Sequence, residues 1–194
     1  FGHNRLSIID LSESANQPYI SNDETIVITY NGELYNYIDI KNELSGFYDF
    51  KTNSDTEVII ASYKKWGIKM LDHFNGMFAF ALWDNKKQTL FCARDRYGIK
   101  PFYYTLIDNN FIFSSEAKAL IPFQKNINIS EDKLFEYLTF QYNTGNETLF
   151  KNIYQISPGE IITVNQNIKK KKYWTFSSSP NQLKVNALNE DELI

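Results

Sequence analysis

Cysteine, histidine and methionine are scarce in this sequence, with one Cys, two His and two Met among 194 residues. Because Cys92 is the only cysteine, no internal disulfide can form, which is typical of proteins kept in a reducing compartment. His3 and His73 have no metal-ligand spacing with each other or with Cys92, so the sequence predicts no metal site. We therefore expect a cytoplasmic protein with no metal bound in this part of the chain.

Long apolar runs and an excess of positive charge are also lacking. No run approaches the roughly 20 apolar residues that cross a bilayer, and the first residues do not resemble a signal peptide. Twenty basic and 23 acidic residues give a net charge of −3, whereas nucleic-acid binding usually leaves a basic patch. The sequence therefore predicts neither a membrane nor a nucleic acid as partner.

Aromatic residues are abundant, at 16% of the chain with 15 Phe and 13 Tyr. This content is sufficient for one sizeable core, and we expect a single domain over residues 1–176. Residues 177–181 have the composition of a linker, and residues 186–194 would begin a further element. We therefore expect residues 177–194 to be a linker and the start of another domain. The chain opens on Phe1 without a Met, directly into a patterned segment, so we expect its natural start to lie upstream.

Alternating and β-branched apolar residues predict a largely β core. Helical spacing is found at residues 34–44, 54–66, 68–73 and 130–141, the last with Leu134, Phe135 and Leu138 facing inward. Ser54 and Glu57 form a predicted capping box, and Gly67 a predicted helix stop. Strands are predicted at residues 4–10, 25–30, 76–84, 88–93, 102–106, 110–114, 160–164 and 169–174.

The predicted strand at 76–84 is apolar on both faces. One face carries Met77, Ala79, Ala81 and Trp83, and the other carries Phe78, Phe80 and Leu82. A strand of this kind must be covered on both sides. Helices on one side and a second sheet on the other would satisfy this requirement, so we expect a layered sandwich of α and β elements.

Asn31-Gly32-Glu33, at the end of the strand predicted at 25–30, is the most informative polar segment. An Asn side-chain amide beside a Gly backbone N–H offers two converging donors, as an oxyanion hole requires. Gly32 has no Cβ, so a substrate carbonyl could approach its backbone closely. The alternative is a strand-to-helix turn, in which Asn-Gly is common for backbone reasons alone.

Three charged residues are further candidates, each with two interpretations. Arg5 could hold a carboxylate in a bidentate fork, or pair with an acid at a sheet edge. Asp55 and Glu33 could face inward to hold an ammonium group, although a carboxylate in the first turn of a helix is favoured by the helix dipole in any case. In contrast, the polar groups at 94–98 are expected to satisfy the backbone of a turn, and Cys92 to be a buried small hydrophobe.

Six segments, taken in order, resemble the class II (N-terminal-nucleophile) glutamine amidotransferase domain, specifically its asparagine synthetase branch. The resemblance runs from residue 2 to about residue 174, and six ordered matches are more specific than any one motif. It implies an α+β fold, a four-layer αββα sandwich of the N-terminal-nucleophile hydrolase type, with its first strands outside this sequence. The segments are residues 2–10, 30–36, 53–59, 75–84, 94–104 and 114–120.

The resemblance also implies a chemistry for each candidate residue. A thiol at the mature N-terminus attacks the side-chain amide of glutamine, and its own α-amine acts as base. Asn31 and the Gly32 N–H would hold the oxyanion, Arg5 the substrate α-carboxylate, and Glu33 and Asp55 the α-ammonium. The remaining pocket wall would come from Leu6, Ser7, Ile8 and Ile9.

The family further implies a second domain, which uses ATP and Mg²⁺ to make asparagine from aspartate and the freed ammonia. Neither the terminal Cys nor that domain is in this sequence, and Cys92 has no free α-amine beside it. We therefore expect these 194 residues alone to hydrolyse nothing. Other interpretations are a synthetase-like enzyme with another carboxylate acceptor, such as a surface-polysaccharide sugar acid, or a non-enzymatic ligand-binding domain. A homodimer is left open.

Overall fold

Two stacked antiparallel sheets form the centre of the structure, a computed structural model that describes residues 1–4 and 9–176. The larger sheet has six strands in the order β1-β2-β3-β4-β8-β9, and the smaller has three in the order β6-β5-β7. The strands are β1 (Tyr19–Ile20), β2 (Ile26–Leu34), β3 (Gly76–Asp84), β4 (Thr89–Arg94), β5 (Tyr103–Ile107), β6 (Asn110–Ser114), β7 (Tyr154–Gln155), β8 (Glu160–Val164) and β9 (Ile168–Lys172).

Four α-helices accompany the sheets, and none of the described helices is long and apolar enough to cross a membrane. Side chains of the first three helices share one core with the larger sheet. The helices are α1 (Tyr37–Leu44), α2 (Asp55–Trp66), α3 (Met70–His73) and α4 (Glu131–Phe140), and short 3₁₀ segments lie at Glu13–Ala15, Gly67–Lys69 and Ala117–Phe123.

Strand β3 separates the two cores of the molecule, because its alternate side chains point to opposite faces. Phe78, Phe80 and Leu82 are buried against the helices. Ala79 and Ala81 are buried in the second core, which contains residues of the smaller sheet. The predicted alternation is confirmed, as are the predicted bounds of β3, β6 and β8.

The outer face of the smaller sheet carries a thin fourth layer. Thr105 of β5 is fully buried, and its hydroxyl oxygen accepts a 2.9 Å hydrogen bond from Gln124 Nε2, just after the 3₁₀ segment Ala117–Phe123. Leu120 of that segment is buried as well. The layers thus run helix, sheet, sheet, helix, and the expected α+β sandwich is confirmed.

The segment Asn31-Gly32-Glu33 differs from its predicted place. It lies inside β2 and pairs with β3, with Asn31 opposite Ala79 and Gly32 opposite Phe78. Strand β2 continues to Leu34, and α1 begins only at Tyr37. The alternative interpretation as a strand-to-helix turn is wrong, because pairing along β3 extends the strand through the glycine.

Helix α2 begins and ends at the predicted residues, but its capping box is absent. Ser54 caps the helix by accepting from the Thr56 N–H at 3.2 Å, and Gly67 ends it. The Glu57 carboxylate accepts from the Lys51 and Thr52 backbone and from the Thr52 hydroxyl at 2.7–3.1 Å. A capping box would give the Glu57 carboxylate only one donor, the Ser54 N–H. In the structure the Ser54 N–H donates to Thr52 Oγ1 instead.

Three further predictions need correction or lie outside the described residues. Leu134, Phe135 and Leu138 of α4 do not face inward, since they are 40%, 75% and 71% exposed. The predicted strand at 4–10 falls largely on residues 5–8, and the predicted linker begins at residue 177, both outside the described ranges.

Gly32 and Gly76 permit an unusually close approach of β2 and β3. A Cβ on Gly32 would lie 2.2 Å from the Met77 carbonyl oxygen, and one on Gly76 would lie 2.3 Å from the Glu33 carbonyl oxygen. Both contacts are with backbone, which cannot swing aside. The absent Cβ of Gly32 therefore serves strand packing, and the approach of a substrate carbonyl to its backbone stays a prediction.

We predict that Gly76→Ala destabilises this chain by about 2 kcal/mol or more, because an added methyl must push two paired strands apart. Denaturant unfolding of the wild type and the variant measures the change. Gly46→Ala is the matched control, since nothing lies within 4 Å of its Cβ, and it should change the free energy of unfolding by less than about 0.5 kcal/mol. Equal effects of both changes would contradict this account.

Candidate active site

A cavity of about 550 Å³ opens at the free edge of β2 and extends between the two sheets. Residues 31–33 of β2 lie along it, and residues 54–56 at the start of α2 form one end. Phe102, just before β5, and Phe113 of β6 form the opposite wall, which belongs to the smaller sheet. The cavity therefore lies where both sheets and a helix N-terminus meet.

Backbone groups along the edge of β2 are satisfied by side chains where no strand is paired. Tyr30 donates its N–H to Gln17 Oε1 at 2.6 Å and accepts from Gln17 Nε2 at 3.1 Å. Leu34 donates its N–H to Asp55 Oδ2 at 3.0 Å. Alternate residues of an antiparallel strand direct their N–H to the same side. Gly32, midway between Tyr30 and Leu34, therefore directs its N–H to this edge and into the cavity.

The partner strand gives independent evidence for this orientation. Phe78, opposite Gly32, directs its N–H and its C=O away from β2, to Asp95 Oδ2 and the Asp95 N–H at 3.2 and 2.8 Å. The Gly32–Phe78 pair is therefore a non-hydrogen-bonded pair of the ladder, in which neither residue uses the other's backbone. It follows that β3 does not use the Gly32 N–H.

Asn31 and Glu33 project from the cavity face of β2, whose neighbours on β3 are Ala79 and Met77. The small Ala79 leaves space beside Asn31. Both polar side chains are half-buried, and the Asn31 amide has no hydrogen-bond partner among residues 1–4 and 9–176. A donor amide and the Gly32 N–H thus face the same space.

Asp55 is a buried carboxylate at the end of this cavity, with 4% of its surface exposed. Its Oδ2 accepts from the Tyr30 hydroxyl at 2.8 Å as well as from Leu34. Burial raises the pKa of Asp55, although the hydrogen bonds from Leu34 and Tyr30 act in the opposite direction. Since a carboxylate has about four acceptor sites, a cation entering the cavity could still bind Asp55 and would favour its ionised form.

Tyr30 remains a hydrogen-bond donor at any ordinary pH. Its hydroxyl is buried and lies beside Asp55, and both circumstances raise the pKa of the phenol well above its usual value. The phenol therefore stays protonated and holds the Asp55 carboxylate in one orientation.

Asp95 fixes the turn that carries one cavity wall. Its buried carboxylate accepts four backbone N–H groups at 3.0–3.2 Å, from Tyr97 and Ile99 at Oδ1 and from Lys100 and Phe78 at Oδ2. This arrangement attaches residues 97–100 directly to β3. Lys100, Pro101 and Phe102 consequently lie at the cavity.

Arg94 completes the same turn from the other side. Its guanidinium donates to the carbonyl oxygens of Gly98, Lys100 and Ile156 at 2.6–2.7 Å. Every one of these acceptors is backbone. The prediction that polar groups at 94–98 satisfy a turn is therefore confirmed.

The N-terminal segment reaches the cavity in its described parts. Gly2, His3, Asn4 and Ile9 line it, and Asp10 Oδ2 accepts the Asn53 N–H at 2.9 Å, which attaches this segment to the residues before α2. The predicted site residues Arg5, Leu6, Ser7 and Ile8 lie outside the described residues.

Of the predicted site residues, Ile9, Asn31, Gly32, Glu33 and Asp55 line this one cavity, and their roles remain predictions. Gln17, Lys100 and Glu116 also line it and were not predicted. Gln17 is 13 residues from its Tyr30 partner, and no local pattern shows which strand edge a glutamine will satisfy.

Cys92 does not belong to the cavity. It is fully buried in β4 between Ala81 and Ile162 of the adjacent strands, and burial raises the pKa of its thiol far above the usual value. The prediction of a buried cysteine is confirmed. Within the described ranges, no three His, Cys, Asp or Glu residues cluster as metal ligands.

The fold is shared with solved enzymes of known structure. Glutamine phosphoribosylpyrophosphate amidotransferase from B. subtilis superposes with a TM-score of 0.62 at 19% identity, covering 90% of this chain and 34% of that one. A solved allosteric regulatory enzyme of purine biosynthesis gives 0.61 at 19% identity, covering 84% and 32%. Residues 1–174 match the family described as glutamine amidotransferase domain, and the chain belongs to this family.

Longer curated relatives match almost the whole chain. Asparagine synthetase [glutamine-hydrolyzing] 1 of Bacillus subtilis is 39% identical over 191 residues, which are 97% of this chain and 30% of that protein. Amidase chyE of Penicillium rubens is 37% identical over 196 residues, 100% of this chain and 28% of the relative. The chain thus spans less than a third of the length of these two relatives.

We predict that Asp55→Asn makes this chain more stable at neutral pH. An unfolded Asp ionises near pH 3.9, while burial raises the pKa of folded Asp55. The folded state then binds more protons than the unfolded state between these two pKa values, so wild-type stability falls as pH rises through that window. The neutral amide can still accept from Leu34 and Tyr30 without this penalty.

Urea unfolding at several pH values between 4 and 8 measures the difference. The advantage of the variant should grow with pH through the window and then stay constant. Asp39→Asn, on the exposed surface of α1, should show no such growth. A variant that is less stable at pH 7 would mean that the hydrogen bonds stabilise the ionised carboxylate by more than burial costs.

Proposed function

We propose that this chain supplies the glutamine-binding and oxyanion-stabilising part of a glutaminase site. The observation that carries the proposal is the backbone of β2, where the groups at Tyr30 and Leu34 are occupied and the Gly32 N–H is left facing the cavity. The Asn31 amide beside it offers a second donor. Two fixed donors in a half-buried cavity are suited to an amide carbonyl that becomes an oxyanion.

The proposed reaction begins with attack by the N-terminal thiolate of the full-length parent on the side-chain amide carbon of glutamine. A carbon–sulfur bond forms, and the electron pair of the C=O moves to oxygen, where Gly32 and Asn31 stabilise the charge. Collapse of this intermediate expels ammonia after its nitrogen gains a proton, leaving a thioester. Water then hydrolyses the thioester to glutamate and regenerates the thiol.

The amino-acid end of glutamine is proposed to bind at the other end of the cavity. Asp55 would accept hydrogen bonds from the α-ammonium, and its burial makes a cation there especially favourable. Glu33 would contribute a second carboxylate from the same wall. Arg5 would hold the α-carboxylate, and residues 6–9 would form the adjacent wall.

The full-length parent is proposed to be a cytoplasmic asparagine synthetase, in which residues 1–176 form the amidotransferase domain. Residues 177–194 would form a linker and the start of a second domain that uses ATP and Mg²⁺ to activate aspartate, which the ammonia then attacks. Support comes from the relatives named asparagine synthetase [glutamine-hydrolyzing], at 39% identity for two of the Bacillus subtilis proteins.

A second candidate is an amidotransferase that amidates a different carboxylate. Two relatives at 37% identity are named amidases, chyE and chry2, and both match 99–100% of this chain. The acceptor would bind in the second domain in either case. Product analysis of the full-length enzyme with aspartate, glutamine and ATP separates the two, since asparagine forms only in the first.

We predict that Asn31→Ala in the full-length parent lowers glutamine-dependent turnover about 10²–10³-fold, or roughly 3–4 kcal/mol. Turnover with free ammonia should be nearly unchanged, because that reaction forms no oxyanion at this site. Product formation with each nitrogen source, at saturating ATP and acceptor, measures both effects. Asn42→Ala, an exposed change on α1, should alter neither.

Equal loss of both activities in Asn31→Ala would show that Asn31 supports the fold or a domain contact, and the oxyanion role would be withdrawn. Gly32→Ala is not an adequate test of the backbone donor. Its Cβ would lie 2.2 Å from the Met77 carbonyl oxygen, so the variant should lose strand pairing together with activity.

A further inference from the structure

In helix α4 the charged side chains face the protein and the apolar side chains face outward, which is the reverse of an ordinary surface helix. Lys133 and Glu136 are its least exposed charged side chains, at 15% and 17%, and they pair at 2.7 Å. Both face the following loop, where Lys133 donates to the Thr144 carbonyl oxygen at 3.0 Å and Glu136 accepts the Thr144 N–H at 2.9 Å. The helix is thus attached to its own domain by polar contacts.

The apolar side chains of α4 face outward. Phe135, Leu138 and Phe140 are 75%, 71% and 59% exposed, and no residue of the helix is buried. The surface continues into the adjoining segments, where Ile129 and Tyr142 are 44% and 61% exposed, and the Phe140 and Tyr142 rings lie 6.2 Å apart. We name these five residues the α4 surface.

An apolar surface of this kind marks an interaction site, because soluble proteins rarely expose clustered large apolar groups. Its composition is that of an interface core, which is enriched in aromatic residues and poor in charge. Spacing of three to four residues along a helix places Phe135 and Leu138 on one stripe. The stripe presents side chains to a partner while Lys133 and Glu136 hold the helix from behind.

We propose that the α4 surface is the docking face for the rest of the parent polypeptide, namely the domain that the longer relatives carry outside the matched region; this rests on the proposed function. This chain matches over 97–100% of its length but spans only 28–30% of those relatives. More than two thirds of their polypeptide therefore lies elsewhere. A partner in the same chain is always present, so a surface covered by it need never face water.

The charges around the α4 surface specify the chemistry of the docking partner. Glu131 and Asp132 lie exposed in the first turn of α4, whereas Lys133 is turned inward. The partner should therefore present apolar side chains opposite the α4 surface and Lys or Arg opposite the first turn, since complementary charges fix the register of an interface. Such docking would hold the glutaminase cavity at a fixed distance from the site that consumes ammonia.

Thiol labelling of the full-length enzyme tests whether the surface is covered. Leu138→Cys is treated with N-ethylmaleimide, and the modified peptide is quantified by mass spectrometry over time. Ile38→Cys, at a position 56% exposed on α1, is the matched control. We expect Cys at 138 to react at least about tenfold more slowly than Cys at 38, at every enzyme concentration.

Two outcomes would overturn the proposal. Equal labelling rates at both positions would mean that the α4 surface is open in the full-length enzyme. Protection that disappears on dilution would identify a second copy of the chain as the occupant. Slow labelling that is independent of concentration supports docking within one chain.

A charge variant tests the functional consequence separately. Leu138→Glu should lower the amount of amidated product per glutamine hydrolysed by severalfold, while Ile38→Glu leaves that ratio unchanged. Hydrolysis of glutamine and turnover with free ammonia should persist in both variants. An unchanged ratio in Leu138→Glu would count against docking, whereas an absence of glutamine hydrolysis in the unmodified parent would overturn the proposed function and leave the labelling result to decide docking.

Discussion

The pairing of β2 with β3 is the constraint on which the candidate site depends. All nine residues of β2 are in register with β3, with Gly32 opposite Phe78. Because side chains alternate along a strand, a slip of one residue would exchange the two faces of β2. Asn31 would then enter the apolar core, and Tyr30 would leave it. Two glycines permit the close strand approach that this register requires.

Buried carboxylates have two different roles in this domain. Asp95 and Glu57 each accept backbone N–H groups, and each fixes a loop, residues 97–100 for Asp95 and residues 51–52 for Glu57. Asp55 is also buried, but it accepts hydrogen bonds only from the Leu34 N–H and the Tyr30 hydroxyl among those described above, and burial raises its pKa. Burying an ionised carboxylate lowers the stability of the fold, and natural proteins tolerate such a loss where function requires it. The contrast separates the two carboxylates that fix loops from Asp55, for which a role in ligand binding is proposed.

Helix α4 shows that stability within the domain and interaction outside it can impose opposite demands on one element. Its inward charged pair keeps the helix in place through Thr144 without using apolar surface. Phe135 and Leu138 consequently remain available to a partner. Periodicity identifies which residues share a face of a helix, but not which face meets the protein. For this reason the inward orientation predicted from the sequence was wrong.

The sequence by itself determined the elements whose pattern is local: the two-faced strand β3, the helix between Ser54 and Gly67, and the ordered motifs that carry the family resemblance. Only the tertiary structure decided that residues 31–33 lie within a strand, that Gln17 occupies the edge at Tyr30, and that the Gly32 N–H is left open. These features depend on pairings between residues far apart in the chain, and local propensity contains no information about which strand edge a distant side chain will satisfy.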